Sequence, residues 1–399
     1  MERQILHVDV NNAFLSWTAI SMLKKGSNLD IRTIPAIIGG DESKRRGIVL
    51  AKSPIAKELG IKTAEPIYFA KQKCPDLQIF PSDFTIYRHY SNLLYQLLLE
   101  YTEKVERFSI DECFLDMTDY LGNRTIFDVA KEISQRVKKE FGFTVNIGIA
   151  TNKLLAKMAS DFQKPDKIHT LFPQEIPTKM WVLPVSELFM VGKKTIPKLE
   201  RMGIRTIGDL AKQDKTILIH KFGKFGKVMW EYANGIDASE VISQEEEPKG
   251  IGNSITLPKD IQNIEELSEV LLALSEQVAF RLRKQNKRAY VVNVQLKTKD
   301  FVSYSHQKKL EVPTDSTKTI GNVAKALLQE SYKGEPIRLI GVRVDNLCSK
   351  KEIQLSLFDT NKEKQEKLDQ TIDKLKEKYG YNTITIAGKM NLNDRIRFK

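Results

Sequence analysis

Ile5-Leu6-His7-Val8-Asp9-Val10 and, far along the chain, Phe108-Ser109-Ile110-Asp111-Glu112-Cys113-Phe114-Leu115 decide how this sequence is read. The first stretch alternates apolar and polar residues, the pattern of a strand, and it carries a carboxylate near its end. The second, within Val105 to Met117, reads as a strand, a tight acidic turn and another strand. Neighbouring strands of one sheet would bring Asp9 together with Asp111 and Glu112. Carboxylates set among apolar residues are costly unless something neutralises them. Mg²⁺ suits the task, because it takes one or two carboxylates and leaves its other positions to phosphates and water. Two such ions would clamp the attacking and leaving oxygens of an in-line phosphoryl displacement. The spacing also permits a plainer reading, in which Asp9 caps a helix beginning near Asn12 and Asp111-Glu112 is an exposed turn.

Working outward, the pattern predicts a helix from Ala13 to Lys24 and strands at Ile34 to Ile38 and Gly47 to Ala51. A short helix follows from Pro54 to Leu59, stopped by Gly60. A helix over Tyr87 to Glu103 precedes the acidic hairpin, and Phe127 to Phe141, Thr144 to Ala150 and Lys153 to Phe162 follow as helix, strand and helix. That order is the one of a ferredoxin-like sheet with helices on one face. Beyond Phe172 the texture is helical with short glycine turns. The acidic run Ser243 to Gly250 then reads as a linker. After it, four strands and two helices between Ile251 and Leu347 predict a second small α/β domain. The tail from Lys350 is polar around the apolar cluster Leu355-Ser356-Leu357-Phe358 and holds an amphipathic stretch from Lys362 to Tyr379.

With 399 residues the chain exceeds one ordinary core, and several domains are expected. Hydrophobic residues at 41% and charged ones at 29% exclude a disordered or fibrous chain. No apolar run reaches the roughly 18 to 20 residues of a membrane span, and Met1-Glu2-Arg3-Gln4 lacks a secretory pattern. A cytoplasmic location without membrane attachment is the expectation. Cys74, Cys113 and Cys348 are too few and too scattered for a disulfide framework or a metal motif. Lys and Arg number 63 against 51 Asp and Glu, an excess of 12 that favours a polyanionic partner, although a merely basic enzyme would have the same balance.

Three segments resemble the palm motifs of the Y-family DNA polymerases, and they occur in the family's order: His7 to Phe14, Ser109 to Asp116 and Gly148 to Asp161. The likeness is to the bacterial lesion-bypass enzymes of the UmuC and ImpB/MucB/SamB type. It implies an α+β, right-hand-like polymerase with a ferredoxin-like palm (1–30 and 81–172) and small α/β fingers (31–80). A helical thumb (173–240), a linker (241–250), a four-stranded little finger (251–347) and a tail (348–399) complete it. The resemblance implies Asp9, Asp111 and Glu112 as catalytic metal ligands, joined by the carbonyl of Val10, for two Mg²⁺ ions or Mn²⁺ as a substitute. Asn11, Asn12, Ala13 and Phe14 would meet the incoming nucleotide, with Phe14 excluding a 2′-hydroxyl; Phe14 as core of the first helix is the alternative.

Lys164 stands at the position of a triphosphate-binding lysine. The family's usual tyrosine and arginine on the triphosphate are Pro54 and Lys57 here, so only Lys57 carries over, as a charge without a bidentate fork. Val191, Gly192, Lys193 and Lys194 resemble the turn of a helix-hairpin-helix, with Met190 where a glycine is usual, and a plain helical turn is the other reading. Arg281, Arg283, Lys284 and Lys287 would meet the DNA backbone unless they are simply a solvated helix end. Gln354, Leu355, Leu357 and Phe358 resemble the peptide that docks on the sliding clamp. The implied activity is translesion synthesis by a monomer on primer-template DNA with deoxynucleoside triphosphates, at low fidelity and without proofreading. The alternative is an inactive, clamp-tethered accessory protein of the same fold.

Overall fold

The computed structural model describes residues 2–40, 47–244, 247–350, 360–380 and 383–384. Two compact units emerge, one of Met1–Gly40 and Ile48–Glu245, the other beginning at Glu246. In the first, β1 (Ile5–Val10) and α1 (Ala13–Lys24) lead into a small lobe of β2 (Ala36–Gly39), β3 (Val49–Lys52), α2 (Pro54–Glu58), α3 (Ile67–Lys73) and β4 (Gln78–Pro81). Then come α4 (Phe84–Leu99), β5 (Val105–Arg107), β6 (Glu112–Asp116), α5 (Ile126–Arg136) with a π-helical extension to Phe141, β7 (Val145–Ala150), α6 (Lys153–Asp161) and β8 (Ile168–Thr170). The short helices α7 (Ile196–Glu200), α8 (Ile207–Ala211), α9 (Lys215–Phe222) and α10 (Lys224–Ala233) end the unit.

The central sheet has the order β5-β6-β1-β7-β8, with β1 antiparallel to both of its neighbours and β7 parallel to β8. This register sets Asp9 between Glu112 on β6 and Asn146 on β7, and His7 between Phe114 and Gly148. The alternation read in β1 corresponds to two faces that are both covered, since all six of its residues are buried. Leu6, Val8 and Val10 share a core with Trp17 of α1, Leu94 of α4 and Ile133 of α5. Ile5 and Phe114 face the other way, onto Leu155 and Ala159 of α6. Helices therefore cover both faces, not one as the ferredoxin-like reading had it. Gly148 makes the second layer possible, because a Cβ there would lie 1.8 Å from the carbonyl oxygen of Ala156. Only a glycine lets helix backbone approach strand backbone so closely.

The small lobe is the three-stranded sheet β3-β2-β4 around Ile37, Val49, Ile61 and Ile67. The elements α3, β4 and β8 were absent from the sequence reading. Helix α3 leaves Tyr68 and Phe69 exposed, so its apolar residues trace no single face. Strands of three or four residues give too few alternations to read. Within the stretch beyond Phe172 whose texture reads as helical, Val185–Glu187 is only a single 3₁₀ turn. Leu199, Leu210 and Leu218 of the helical region pack into the same core as α6 and Phe114.

The second unit is an antiparallel sheet, β11 (Ser303–Thr314), β10 (Lys287–Thr298), β12 (Ile337–Ser349) and β9 (Gly250–Ile261) in spatial order. Helices α11 (Ile264–Lys284) and α12 (Thr317–Ser331) pack with it around Leu271, Leu274, Val294, Ile320 and Val342. A third helix, α13 (Thr360–Tyr379), joins this unit through charge. Arg283 meets Asp373 at 2.6 Å and Asp369 at 3.7 Å, Arg288 pairs with Asp315 and Glu366, and Lys376 pairs with buried Glu276.

Candidate active site

The antiparallel pairing of β1 with β6 places Asp9 and Glu112 as cross-strand partners on one face of the sheet. Asp9 is 8% exposed. Burial, reinforced by the neighbouring Glu112 and opposed by Lys164, pushes its carboxyl up to about 7. Two lysines answer the two carboxylates: Lys164 Nζ lies 3.0 Å from Asp9 and Lys157 Nζ 2.7 Å from Glu112. Burial works against the charge on Lys164, but Asp9 and Asp161 outweigh it and hold the ammonium above the usual lysine range. Asp111 sits at the mouth of the site, its carboxylate accepting a hydrogen bond from Ser109 Oγ at 2.6 Å, and its carbonyl receives Val10 N–H at 3.0 Å.

Among the described residues, no group of three His, Cys, Asp or Glu side chains is arranged to hold a metal ion. The expected trio is instead Asp9 and Glu112 side by side, with Asp111 turned to a hydroxyl. The pair still fits a hard divalent cation, for its donors are carboxylate oxygens and one of them is buried enough to resist ionisation without a positive neighbour. Beneath it, burial and then the charges of Lys157 and Lys164 hold the His7 imidazole well below its usual range. Its Nδ1 lies 2.8 Å from Ser160 Oγ. Since that hydroxyl donates to the carbonyl of Lys157, Nδ1 carries the proton.

A cleft of about 500 Å³ opens beside the carboxylates. Asp9, Val10, Asn11, Asn12, Ala13, Phe14, Lys57, Asp111 and Lys164 line it, so one cleft gathers these sequence-predicted residues, while Glu112 sits behind Asp9. Phe14 is half-buried, stacked on Tyr87 at 4.4 Å and edge-on to Phe84 at 5.7 Å. Asn12 takes a left-handed conformation, φ 52°, which Asn tolerates, and its amide donates to the carbonyl of Lys52 at 2.6 Å. That bond ties the β1–α1 turn to the small lobe. The side chain of Asn11 points away from the ligand position expected of it, into buried contacts with Asn146, Thr144 and the backbone of Asp166.

Pro54 has a local reason. It is the first residue of α2, after Ser53, whose hydroxyl caps the helix by accepting from Ala56 N–H. Lys52, which the sequence reading missed, lines the cleft with Lys57, and its ammonium donates to Thr63 Oγ1 at 2.9 Å. Burial, then the charge of Lys57, lowers its proton affinity. Lys157 and Asn146 were missed as well. The only available signal for Lys52 was a lysine on the strand leading into Pro54.

In the helical region, Val191 is buried and Gly192, Lys193 and Lys194 are exposed ahead of α7. Met190 adopts φ 74°, the left-handed conformation that explains why glycine is usual there. On the second unit Arg281 and Lys284 are exposed, and Lys287 meets Glu247 at 2.7 Å. Arg283 departs from its expected part: its guanidinium is engaged by Asp373, the carbonyl of Asp315 and the hydroxyl of Thr317, which commits most of its donors within the unit. Gln354, Leu355, Leu357 and Phe358 lie outside the described residues.

The architecture and the carboxylate cleft are those of a nucleotidyl-transfer palm. Family models agree: residues 8–161 match the impB/mucB/samB family and residues 248–357 its C-terminal domain, and the chain belongs to this family. A protein of Clostridium acetobutylicum named DNA polymerase IV is 48% identical over 96% of this chain and 97% of its own length. DNA polymerase IV 1 of Bacillus subtilis is 36% identical over 96% of this chain and 92% of its own. A solved Y-family DNA polymerase chimera, 23% identical, superimposes with a TM-score of 0.75 over 87% of this chain and 99% of that one, which establishes the shared fold.

Proposed function

We propose that this chain is a template-directed DNA polymerase of the lesion-bypass kind, with Asp9, Glu112 and Asp111 as its catalytic carboxylates. The observation that carries the reading is the cross-strand pair of Asp9 and Glu112, each matched by a lysine, at the end of a cleft lined by Phe14 and three lysines. In this reading the central sheet is the palm, the small lobe the fingers, the short helices the thumb and the second unit the little finger. When bound, two Mg²⁺ ions, or Mn²⁺ in their place, would activate the primer 3′-hydroxyl and neutralise charge on the leaving pyrophosphate. Asp9, Glu112 and Asp111 would hold them, Asp111 leaving Ser109 to do so, with the carbonyl of Val10 as a further donor.

Lys164, Lys57 and Lys52 supply positive charge at the triphosphate end, where preorganised cations stabilise a developing polyanion. Phe14, braced against Tyr87, occupies the space a ribose 2′-hydroxyl would need, while Asn12 and Ala13 frame the sugar. Val191 to Lys194, Arg281, Lys284 and Lys287 would meet backbone phosphates without reading sequence. The peptide from Gln354 to Phe358 would tether a monomeric enzyme to the sliding clamp. Among the described residues no helix is long and apolar enough to cross a membrane; the cytoplasmic location belongs to the proposal.

Primer extension past an abasic template site is the test. The parent should extend in Mg²⁺ and stop in chelator. Asp9→Ala and Glu112→Ala should bind primer-template with parental affinity yet lose extension by on the order of a thousandfold or more. Normal extension by either variant would refute the carboxylate assignment.

A further inference from the structure

Lys164 is an exposed side chain on a turn, 163–167, that has no secondary structure until Ile168. A lysine so placed would spend most of its time away from Asp9 unless the backbone beneath it were fixed. What fixes it is one carboxamide. Asn146, on β7 beside Asp9 in the ladder, is fully buried. Its Nδ2 donates to the carbonyls of Ser160 at 2.9 Å and Gln163 at 2.7 Å. Its Oδ1 accepts from Asn11 Nδ2 at 3.0 Å and from Lys167 N–H at 3.3 Å. Both donor and both acceptor positions of the amide are used. Asn11 extends the relay, since its Oδ1 accepts from Asp166 N–H and Thr144 Oγ1, each at 2.9 Å. The end of α6 and both flanks of Lys164 are thus pinned to β7, with β1 reached through Asn11.

We propose that Asn146, with Asn11 as its relay, is a positioning residue that sets Lys164 against the carboxylate centre and so holds the triphosphate end of the nucleotide. The proposal rests on Lys164 contacting the triphosphate, as argued above. The Asn146 side chain spends its hydrogen bonds on Asn11 and on the backbone of Ser160, Gln163 and Lys167, none of them on the carboxylates of Asp9, Asp111 or Glu112; it acts through the turn. A buried hydrophobic residue in its place would leave the N–H of Lys167 unpaired and the carbonyl of Gln163 with only the longer contact to His169 Nε2 at 3.3 Å, and the turn would move to find water. The nucleotide site would suffer before the sheet did, because β7 and β1 keep their ladder bonds.

The experiment compares steady-state nucleotide kinetics of the parent, Asn146→Leu, Lys164→Ala and the double variant on undamaged primer-template. Melting temperature and DNA affinity are measured alongside. Asn146→Leu should raise KM for the nucleotide on the order of tenfold, with kcat and DNA affinity much less changed. The double variant should be no worse than Lys164→Ala alone, because there is then no lysine to position. Parental KM in Asn146→Leu, or a full additional loss in the Lys164→Ala background, overturns the proposal. If Leu prevents folding, Asn146→Ser replaces it in the same cycle under the same criteria. Parental KM in Lys164→Ala overturns the positioning role through its premise, whereas failure of the polymerase reading would appear separately, as a parent that does not extend primers.

Discussion

Lys52 and Lys57 bring two positive charges to one wall of the cleft, and among the described residues neither has a carboxylate in ion-pair contact. Burial first, and then the charge of Lys57, lowers the proton affinity of Lys52, and like charges near one another cost free energy unless an anion divides them. A bound triphosphate would relieve it. Removing either lysine should therefore weaken nucleotide binding without harming the fold. Lys52→Ala and Lys57→Ala are each expected to raise nucleotide KM by about tenfold, roughly the 1.5 kcal/mol of one charge-assisted contact. Their melting temperatures should stay parental. Steady-state kinetics in rising salt checks the assignment, since the parent's advantage should shrink as the charges are screened; a KM that ignores both substitutions would place the triphosphate elsewhere.

Among elements, α6 is the one on which the site depends most. It brings Lys157 to Glu112 and Ser160 to His7, and its end leads into the turn of Lys164. Its seat on the sheet is Gly148, where a Cβ would meet backbone on three atoms within 3 Å. Gly148→Ala should destabilise the protein by about 3 kcal/mol, as overpacking against rigid backbone does, and should cut extension even at temperatures where the variant stays folded. A thermal melt beside an extension assay measures both. The turn before α7 offers the opposite case. Met190 holds a left-handed conformation that costs a side chain about 1 kcal/mol, and its own side chain is exposed. Met190→Gly should raise stability by up to that amount in urea unfolding, while a drop would mean that the methionine makes a contact worth more than the strain.

At the scale of the molecule, the unit after the linker has a hydrophobic core of its own and a charged third helix. The buried partners on α13 are costly to expose singly, since a buried charge without its mate is far worse than the pair. Residues 247–384 should fold alone and melt cooperatively, as checked by circular dichroism and calorimetry. Asp373→Ala in that fragment should lower its melting temperature clearly, because it removes two charge-assisted hydrogen bonds from Arg283 and leaves Asp369, at 3.7 Å, as the carboxylate in contact with it. A fragment that fails to fold would show that its core needs the rest of the chain. The amphipathic stretch from Lys362 to Tyr379 falls within this helix; its apolar residues are few, and periodicity marked it without revealing that it binds by ion pairs.

The sequence by itself determined the order of the longer elements, the strand that carries Asp9, the acidic hairpin and the second sheet, because hydrophobic period and turn residues are local properties. It also located α1 from Ala13 to Lys24, the span the structure has. The motif context carried the carboxylates where spacing alone left a cap and a turn open. What only the tertiary structure decided depends on residues distant in the chain meeting: the second helical layer over Gly148 and the diversion of Arg283 into α13. The same holds for Asn11 and Asn146, whose amides lie far apart in sequence and complete each other's hydrogen bonds only because β1 and β7 are neighbours. Asp9 was legible as a carboxylate at the end of a strand. That it is answered by a lysine on a turn held from beneath was not, since pairing across a sheet is a fact of three dimensions.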